Sequence, residues 1–325
     1  LLYLENSFSN FERLIPVFKN AAIGSRYSCV PIEWYLEDHS FSERNALFIK
    51  NAVILLEEAI VKCLDHANVE IKEIDALVVA TTSGIAAPSL DALLVERLSM
   101  RRDIQRLPIF GLGCAGGVIG LSRAGSIARS MPGAKVVFAV VELCGLTFRF
   151  NDRSKSNVIA TALFGDGSAA SLLSTDHNGP ELSAWGEYTW PSTLDIMGWQ
   201  IENDGFGVLF SRNIPNLIRS QMGDTIERFL DQNNLSLQQI DEFVCHPGGA
   251  KVLDALEEVF KLNSGGLKTS REILREYGNM SAATILFVLE KSLQNAKKDN
   301  RRQKQRLMSS LGPGFTAGFL ILEET

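Results

Sequence analysis

Apolar residues follow two spacings along this chain. In Asn45–Leu64, NALFIKNAVILLEEAIVKCL, they fall on a broad stripe three and four positions apart, which predicts an amphipathic helix. Ile74–Ala80, IDALVVA, is a continuous apolar run of strand length. The order then recurs. A short apolar stretch over Leu107–Leu112 leads through Cys114 into GVIGLSRAGSIARSM, whose helical spacing stops before Pro132 and Gly133. AKVVFAVVEL at 134–143 is a further strand, rich in Val and Phe. The alanines and serines of GDGSAASLLS at 165–174 imply close packing, and 175–205, rich in Asp, Gly, Pro and Trp, reads as loops with short strands. Helical spacing resumes at Ile214. IDEFVCHPGGAKVLDALEEVF then predicts a strand over Glu242–Cys245, a histidine, a Pro-Gly-Gly corner and a helix through Phe260.

Strands alternating with helices imply an α/β protein of sheets layered with helices. The layout of strand, reactive residue, glycines and helix occurs once around Cys114 and once around His246. Two similar halves are therefore expected, 1–174 carrying the cysteine and 175–325 carrying the histidine, although the residue identities do not repeat.

Composition narrows the function. With 325 residues, 46% of them hydrophobic, the chain can bury a large core. A net charge of -6 argues against general nucleic-acid binding. The five cysteines, at 29, 63, 114, 144 and 245, have neither the paired spacings of a metal site nor the density of a disulfide scaffold, so a reduced, cytoplasmic compartment is expected. Glu142 breaks the most apolar run, and no transmembrane helix is expected. No targeting segment is evident, which carries little weight in a sequence that starts with Leu rather than Met.

Three stretches carry candidate chemistry. In FGLGCAGGV, 110–118, glycines around Cys114 would let a substrate approach main-chain N–H groups, and a helix starting just beyond would stabilise a thiolate. A small buried thiol at a tight turn fits the same residues. Cys29, Cys63, Cys144 and Cys245 read as core or pocket lining, Cys29 without polar context and Cys245 pointing away from its neighbour His246; Cys144, at a strand end, is the best candidate for lining. Of four histidines, His39, His66 and His177 lie in polar or turn-like surroundings and read as surface. His246 ends an apolar strand at a rigid corner, where its ring would be fixed. Asn279, in EYGNMSAA, sits in a glycine-flanked turn before an apolar helix, where it can cap that helix or hold a carbonyl oxygen.

These stretches resemble the type III polyketide synthases, the chalcone-synthase-like branch of the thiolase superfamily, and within it the bacterial alkylresorcinol and alkylpyrone synthases. The matching segments run through most of the chain: TSGIAAPSLD (82–91), GLGCAGG (111–117), ELCGLTF (142–148), ALFGDGSAA (162–170), CHPGGAKVLDALE (245–257), EYGNMSAATILFVL (276–289) and LGPGFTAGF (311–319). The resemblance implies a five-layered α-β-α-β-α thiolase-like fold, an obligate homodimer, and use of coenzyme A thioesters with no metal or bound cofactor. Cys114 becomes the nucleophile, His246 its ion-pair partner and Asn279 the second polar member of a catalytic triad. A starter acyl-CoA would load on Cys114 and be extended by decarboxylative condensation with malonyl-CoA.

The resemblance also suggests a pocket. Val208 stands where plant members carry a bulky phenylalanine, leaving an apolar passage that suits a long aliphatic starter. Cys144, Thr147, Asn157, Phe164 and Trp190 are further lining candidates, Ala87 is expected to reach toward a partner subunit's cavity, and Gly312, Pro313 and Gly314 to shape the cavity floor. Lys19 and Arg26 are candidates for coenzyme A contacts, with surface roles equally open. The basic segment AKKDNRRQKQR, 296–306, reads as an exposed loop able to attract coenzyme A phosphates, an acyl carrier protein or an anionic membrane surface. Gly318 replaces an acidic residue of many relatives. Two other readings stay open: a ketoacyl-acyl-carrier-protein synthase III, against which His246-Pro-Gly-Gly argues, and a catalytically silent thiolase-like binding protein.

Overall fold

The computed structural model describes residues 15–176, 179–298 and 304–324. Ten strands are present in these residues: β1 (Ile74–Thr81), β2 (Gln105–Phe110), β3 (Lys135–Leu143), β4 (Asp166–Leu173), β5 (Glu181–Thr189), β6 (Met197–Glu202), β7 (Gly205–Phe210), β8 (Glu242–Cys245), β9 (Lys304–Gly312) and β10 (Thr316–Glu324). They form one sheet in the order β2-β1-β3-β4, another in the order β5-β10-β9-β8, and a separate ribbon of β6 and β7.

Strand alternation sets the layers. Ala76, Val78 and Ala80 of β1 face the helices Gly116–Ser130 and Thr284–Lys298 in a central apolar cluster that also takes Val244 of β8, Met308 of β9 and Leu320 of β10. Leu77 and Val79 point the other way, onto Phe48, Ala52, Leu56 and Ile60 of the helix Phe41–Ala67. On the far face of the second sheet, Leu307, Phe319 and Ile321 pack against Ile226, Phe229, Leu253 and Leu256. Helix, sheet, paired helices, sheet and helix thus make the expected five layers.

The two sheets repeat one pattern. β1 runs parallel to β3, which is antiparallel to β4; β8 runs parallel to β9, which is antiparallel to β10. In each a central helix immediately precedes the middle strand. The N-termini of these two helices bring Cys114 and Asn279 together.

Local chemistry explains the element ends. The first long helix starts earlier than its apolar stripe because Ser40 and Glu43 form a capping box, and it stops at Asn68 in the left-handed conformation. Asp166–Leu173 form β4 despite lacking alternation. A Cβ at Gly167 would meet Met280 Sδ at 2.4 Å, so small residues are what allow this strand to lie against the Asn279 turn. Gly318 is explained similarly: a Cβ there would lie 2.8 Å from Ile119 of the central helix.

The basic segment is not one exposed loop. Its start belongs to the helix Thr284–Lys298 and its end to β9, while 299–303 lie outside the described residues, as does His177. Arg306 is fully buried, where Glu242 at 3.1 Å and Glu324 at 2.8 Å neutralise it.

Candidate active site

Cys114 lies in a short 3-10 turn, Gly113–Ala115, that runs straight into the helix Gly116–Ser130. Gly113 has φ +49°, and a Cβ on it would collide with Pro313 at 2.6 Å; the glycine before the thiol is required by both conformation and packing. From the other side, Asn279 is fixed by its backbone: its N–H donates to Leu163 O at 2.9 Å and its carbonyl accepts from Gly165 N at 3.0 Å. His246 directly follows β8, its N–H donating to Ser309 O of β9 at 2.9 Å.

The three side chains meet at one small cavity of about 20 Å³, with Ser309, Ser310 and Gly248 in its wall. The Cys114 thiol is 4.0 Å from Asn279 Oδ1 and 3.7 Å from Ser281 Oγ. Asn279 Oδ1 also accepts from Ser281 N at 2.8 Å, so the side chain organises the helix start while facing the thiol, and its Nδ2 donates to Gly248 O at 3.4 Å. Ser281 is non-glycine at φ +46°, a strained conformation beside the candidate nucleophile.

The electrostatics are those of a buried site. Burial pushes the Cys114 thiol up to about 12, countered by the Ser281 and Asn279 hydrogen bonds, and pushes His246 down to about 3. Neither ring nitrogen of His246 has a hydrogen-bond partner among the described residues. Burial alone therefore opposes the expected thiolate–imidazolium pair. Such a pair would have to draw on mutual attraction and on the helix N-terminus at Cys114.

Sequence reasoning missed Glu142, read there only as a charge interrupting an apolar run. It is buried behind the site, accepting at Oε2 from Thr82 N and Ser83 N at 3.0 Å and from Ser83 Oγ at 2.7 Å. Burial raises its carboxyl to about 7, and Oε1 is without a hydrogen-bond partner among the described residues. Thr82 Oγ1 in turn accepts from Gly113 N at 3.0 Å, tying the carboxyl to the cysteine turn. The sequence signal was an acidic residue at the end of a buried strand.

Beyond Cys114 the space opens. A chamber of about 40 Å³ is lined by Cys114, Cys144, Phe164, Trp199, Val208 and Pro313, among others. Cys144, Phe164 and Val208 also line a cavity of about 430 Å³, within the range of small-molecule sites. Thr147 and Asn157 line this larger cavity, as does Arg26, whose guanidinium also donates to the carbonyls of Thr161 and Phe164. The N-terminal residues Phe18, Tyr27, Ile32, Tyr35 and Leu36 complete its wall; no motif in the sequence marked them.

Other expectations fare differently. Trp190 lines none of these cavities; it is core, packed between Tyr188 and Phe315 beneath the second sheet. Gly312 is pressed against the cysteine turn, a Cβ there meeting Leu112 O at 2.3 Å, and Gly314 turns the β9–β10 hairpin at φ +111°; of the Gly-Pro-Gly, Pro313 alone touches a cavity. Ala87 is exposed and lines none of them, and Lys19, at the end of the short helix Ile15–Asn20, is exposed. Cys29 does have polar context: its N–H donates to Asp166 Oδ2 at 2.8 Å, and burial with the nearby carboxylate raises its thiol. His39 stacks on Trp34 at 4.0 Å. No cluster of three or more metal-ligating side chains occurs among the described residues, and none of their helices is long and apolar enough to cross a membrane.

A thiol, an imidazole and a carboxamide at paired helix N-termini, reached through an apolar passage, define an acyl-transferring, condensing site on a thiolase-like fold. Family profiles give it a place: the N-terminal domain of the chalcone and stilbene synthases matches residues 33–177 and their C-terminal domain matches 183–325. The chain belongs to this family, the type III polyketide synthases. It is 38% identical to a Bacillus subtilis (strain 168) protein named as a chalcone synthase candidate, over 98% of this chain and 90% of that one. To the 1,3,6,8-tetrahydroxynaphthalene synthase of Streptomyces peucetius subsp. caesius it is 37% identical, over 93% and 81%. The crystal structure of the Streptomyces coelicolor A3(2) 1,3,6,8-tetrahydroxynaphthalene synthase superposes with a TM-score of 0.92 at 24% identity, covering 99% of this chain and 94% of that one.

Proposed function

We propose that this type III polyketide synthase loads a long-chain acyl-CoA starter on Cys114, extends it with malonyl-CoA, and releases alkylpyrones or alkylresorcinols. The observation that carries the reading is the passage at Val208: a valine, not a large ring, borders both the chamber at Cys114 and the larger cavity. Each methylene buried there contributes about 0.8 kcal/mol, so length is selected by apolar contact.

Each residue then has a task. His246 takes the Cys114 proton as sulfur attacks the starter thioester; the acyl–sulfur bond forms and coenzyme A leaves with the proton. Malonyl-CoA loses carbon dioxide, and its electron pair passes to an enolate whose oxygen accepts hydrogen bonds from His246 and the Asn279 carboxamide. What supports this is that both ring nitrogens of His246 are without a partner among the described residues and the Asn279 amide has only a long 3.4 Å bond to Gly248 O to give up, so little reorganisation is needed. The enolate carbon attacks the acyl carbonyl, the bond to Cys114 breaks, and the product is a coenzyme A thioester two carbons longer, ready to reload. The protein works as a homodimer in the cytoplasm, 1–174 supplying the nucleophile and 175–325 the two polar partners.

The names of three relatives favour a second reading, in which the product is 1,3,6,8-tetrahydroxynaphthalene; a product without an alkyl tail would need no starter besides malonyl-CoA. Product mass spectrometry with malonyl-CoA alone, and with acyl-CoA starters from short to long, separates the two. Alkyl-bearing products that vanish in Cys114→Ala, and lose their longest members in Val208→Phe, are expected. A tetrahydroxynaphthalene mass from malonyl-CoA alone, with no alkylated product, would sink the long-chain reading.

A further inference from the structure

The ribbon of β6 and β7 belongs to neither main sheet. One of its faces pairs Met197 with Phe210 and Trp199 with Val208, and all four side chains border the chamber at Cys114. Across the chamber stands Cys144, at the head of the Cys144–Thr147 turn; Thr147 and Phe148 continue that wall into the larger cavity. Cys144, Phe164 and Val208 line both cavities, so the passage between them is bounded by this ribbon, that turn and the Phe164 ring that packs on Trp199.

Both walls are tied at one point. The turn of the ribbon is Asn203-Asp204, and the Asp204 carbonyl accepts from Arg44 Nη2. Arg44 is buried, and its Nη1 donates to Phe148 O at 2.8 Å, on the opposite wall. The Asp204 carboxylate is held from the same side by Arg149, with Nε 2.9 Å from each oxygen and Nη2 2.8 Å from Oδ1. Arg149 also reaches Asp152 at 3.2 Å. Forked contacts of this kind fix orientation as well as distance. Apart from the clamp, the far end is held by Phe206, which is buried and meets the Phe41 ring edge-on at 5.3 Å, and the two-stranded ribbon has no sheet neighbour to stiffen it.

We infer that the Arg44–Asp204–Arg149 clamp sets the aperture between the two cavities and thereby the tail length of the acyl group that reaches Cys114. Asp204 and Arg149 are positioning residues: they act through the ribbon and touch no reacting atom. Release of the clamp lets the ribbon swing outward and admits longer tails more readily. The inference rests on the reading of Cys114 as the acyl-bearing thiol.

The test reads the aperture without relying on turnover. The purified full chain, Asp204→Asn and Arg149→Lys would be treated with N-methylmaleimide and N-octylmaleimide, which share one electrophile and differ in tail. Peptide mass spectrometry then gives the rate at Cys114 separately from Cys144. In Asp204→Asn the octyl-to-methyl rate ratio is expected to rise about fivefold. Arg149→Lys keeps the charge but loses the fork, so a smaller rise in the same direction is expected, and it also serves if the first variant does not fold. An unchanged or lower ratio, including equal changes with both reagents, overturns the inference. Absence of alkylated products from wild-type protein fed acyl-CoA starters would instead count against the long-chain substrate and leave the maleimide ratio readable.

Discussion

Glu142 carries the most distinctive charge in the protein at the scale of single residues. Its carboxyl is raised to about 7 because burial disfavours the anion more than its hydrogen bonds favour it. The sign for stability follows. Below the ordinary carboxylate range both folded and unfolded chains hold this proton; as pH rises from about 4.5 to about 7 the unfolded chain loses it first, so stability falls over that window by about 3 kcal/mol and then levels off. Glu142→Gln removes the titration while leaving an acceptor for Thr82 and Ser83. We expect the melting temperature of wild-type protein to drop relative to Glu142→Gln between pH 5 and pH 8. Parallel curves would show that the folded protein holds this carboxylate without penalty. The residue also marks the limit of reading a sequence. Cys114, His246 and Asn279 were legible because each sits at a glycine-marked turn, where backbone chemistry advertises itself. Glu142 gave no such mark, since what makes it unusual is the burial that only the assembled layers supply.

At the scale of elements, the site depends on how closely two central helices approach. A Cβ at Gly117 would lie 2.3 Å from both Ala282 O and Ile285 Cγ2, so Gly117→Ala must push the two helix starts apart. Overpacking of this kind costs about 1–3 kcal/mol, and the displacement falls between Cys114 and Ser281. Urea unfolding of Gly117→Ala should show the loss of stability, and condensation should fall further than the folded fraction explains. Wild-type stability with wild-type activity would mean that the helices can part freely. Strongly apolar elements were legible at this scale: the strand at Glu242–Cys245 appears at its expected bounds, and the helix at 116–130 stops before Pro132. β4 and β5 were not, because β4 is built from small residues chosen for contact with the Asn279 turn, and β5 draws its apolar partners from β10, at the far end of the chain. The cavity's N-terminal wall escaped for a related reason, since Tyr27 stands alone and Ile32, Tyr35 and Leu36 belong to a helix of five residues, too short for its spacing to stand out; they gain meaning only from the space they enclose.

The whole molecule poses the question of assembly. β2 is the outermost strand of the first sheet, and an open strand edge invites pairing with another chain. Phe110 ends β2 with 55% of its surface exposed, and in the register of the sheet it lies beside Thr81, the end of β1. Ile85, 45% exposed, and the exposed Ala87 follow in the loop that leaves β1. Apolar groups clustered at one sheet edge are unusual on a free surface and ordinary at the centre of an interface. This supports a homodimer formed across β2, in which the Ala87 loop approaches the partner. A stable interface of standard size covers about 800 Å² on each chain, so a charge placed at its centre is felt throughout. Sedimentation velocity should find wild-type protein dimeric at micromolar concentration, and Phe110→Asp should raise the dissociation constant at least tenfold, about 1.4 kcal/mol. If Phe110→Asp remained as dimeric as wild type, the contact would lie on another face, and the Ala87 loop would have no cavity of a partner to reach.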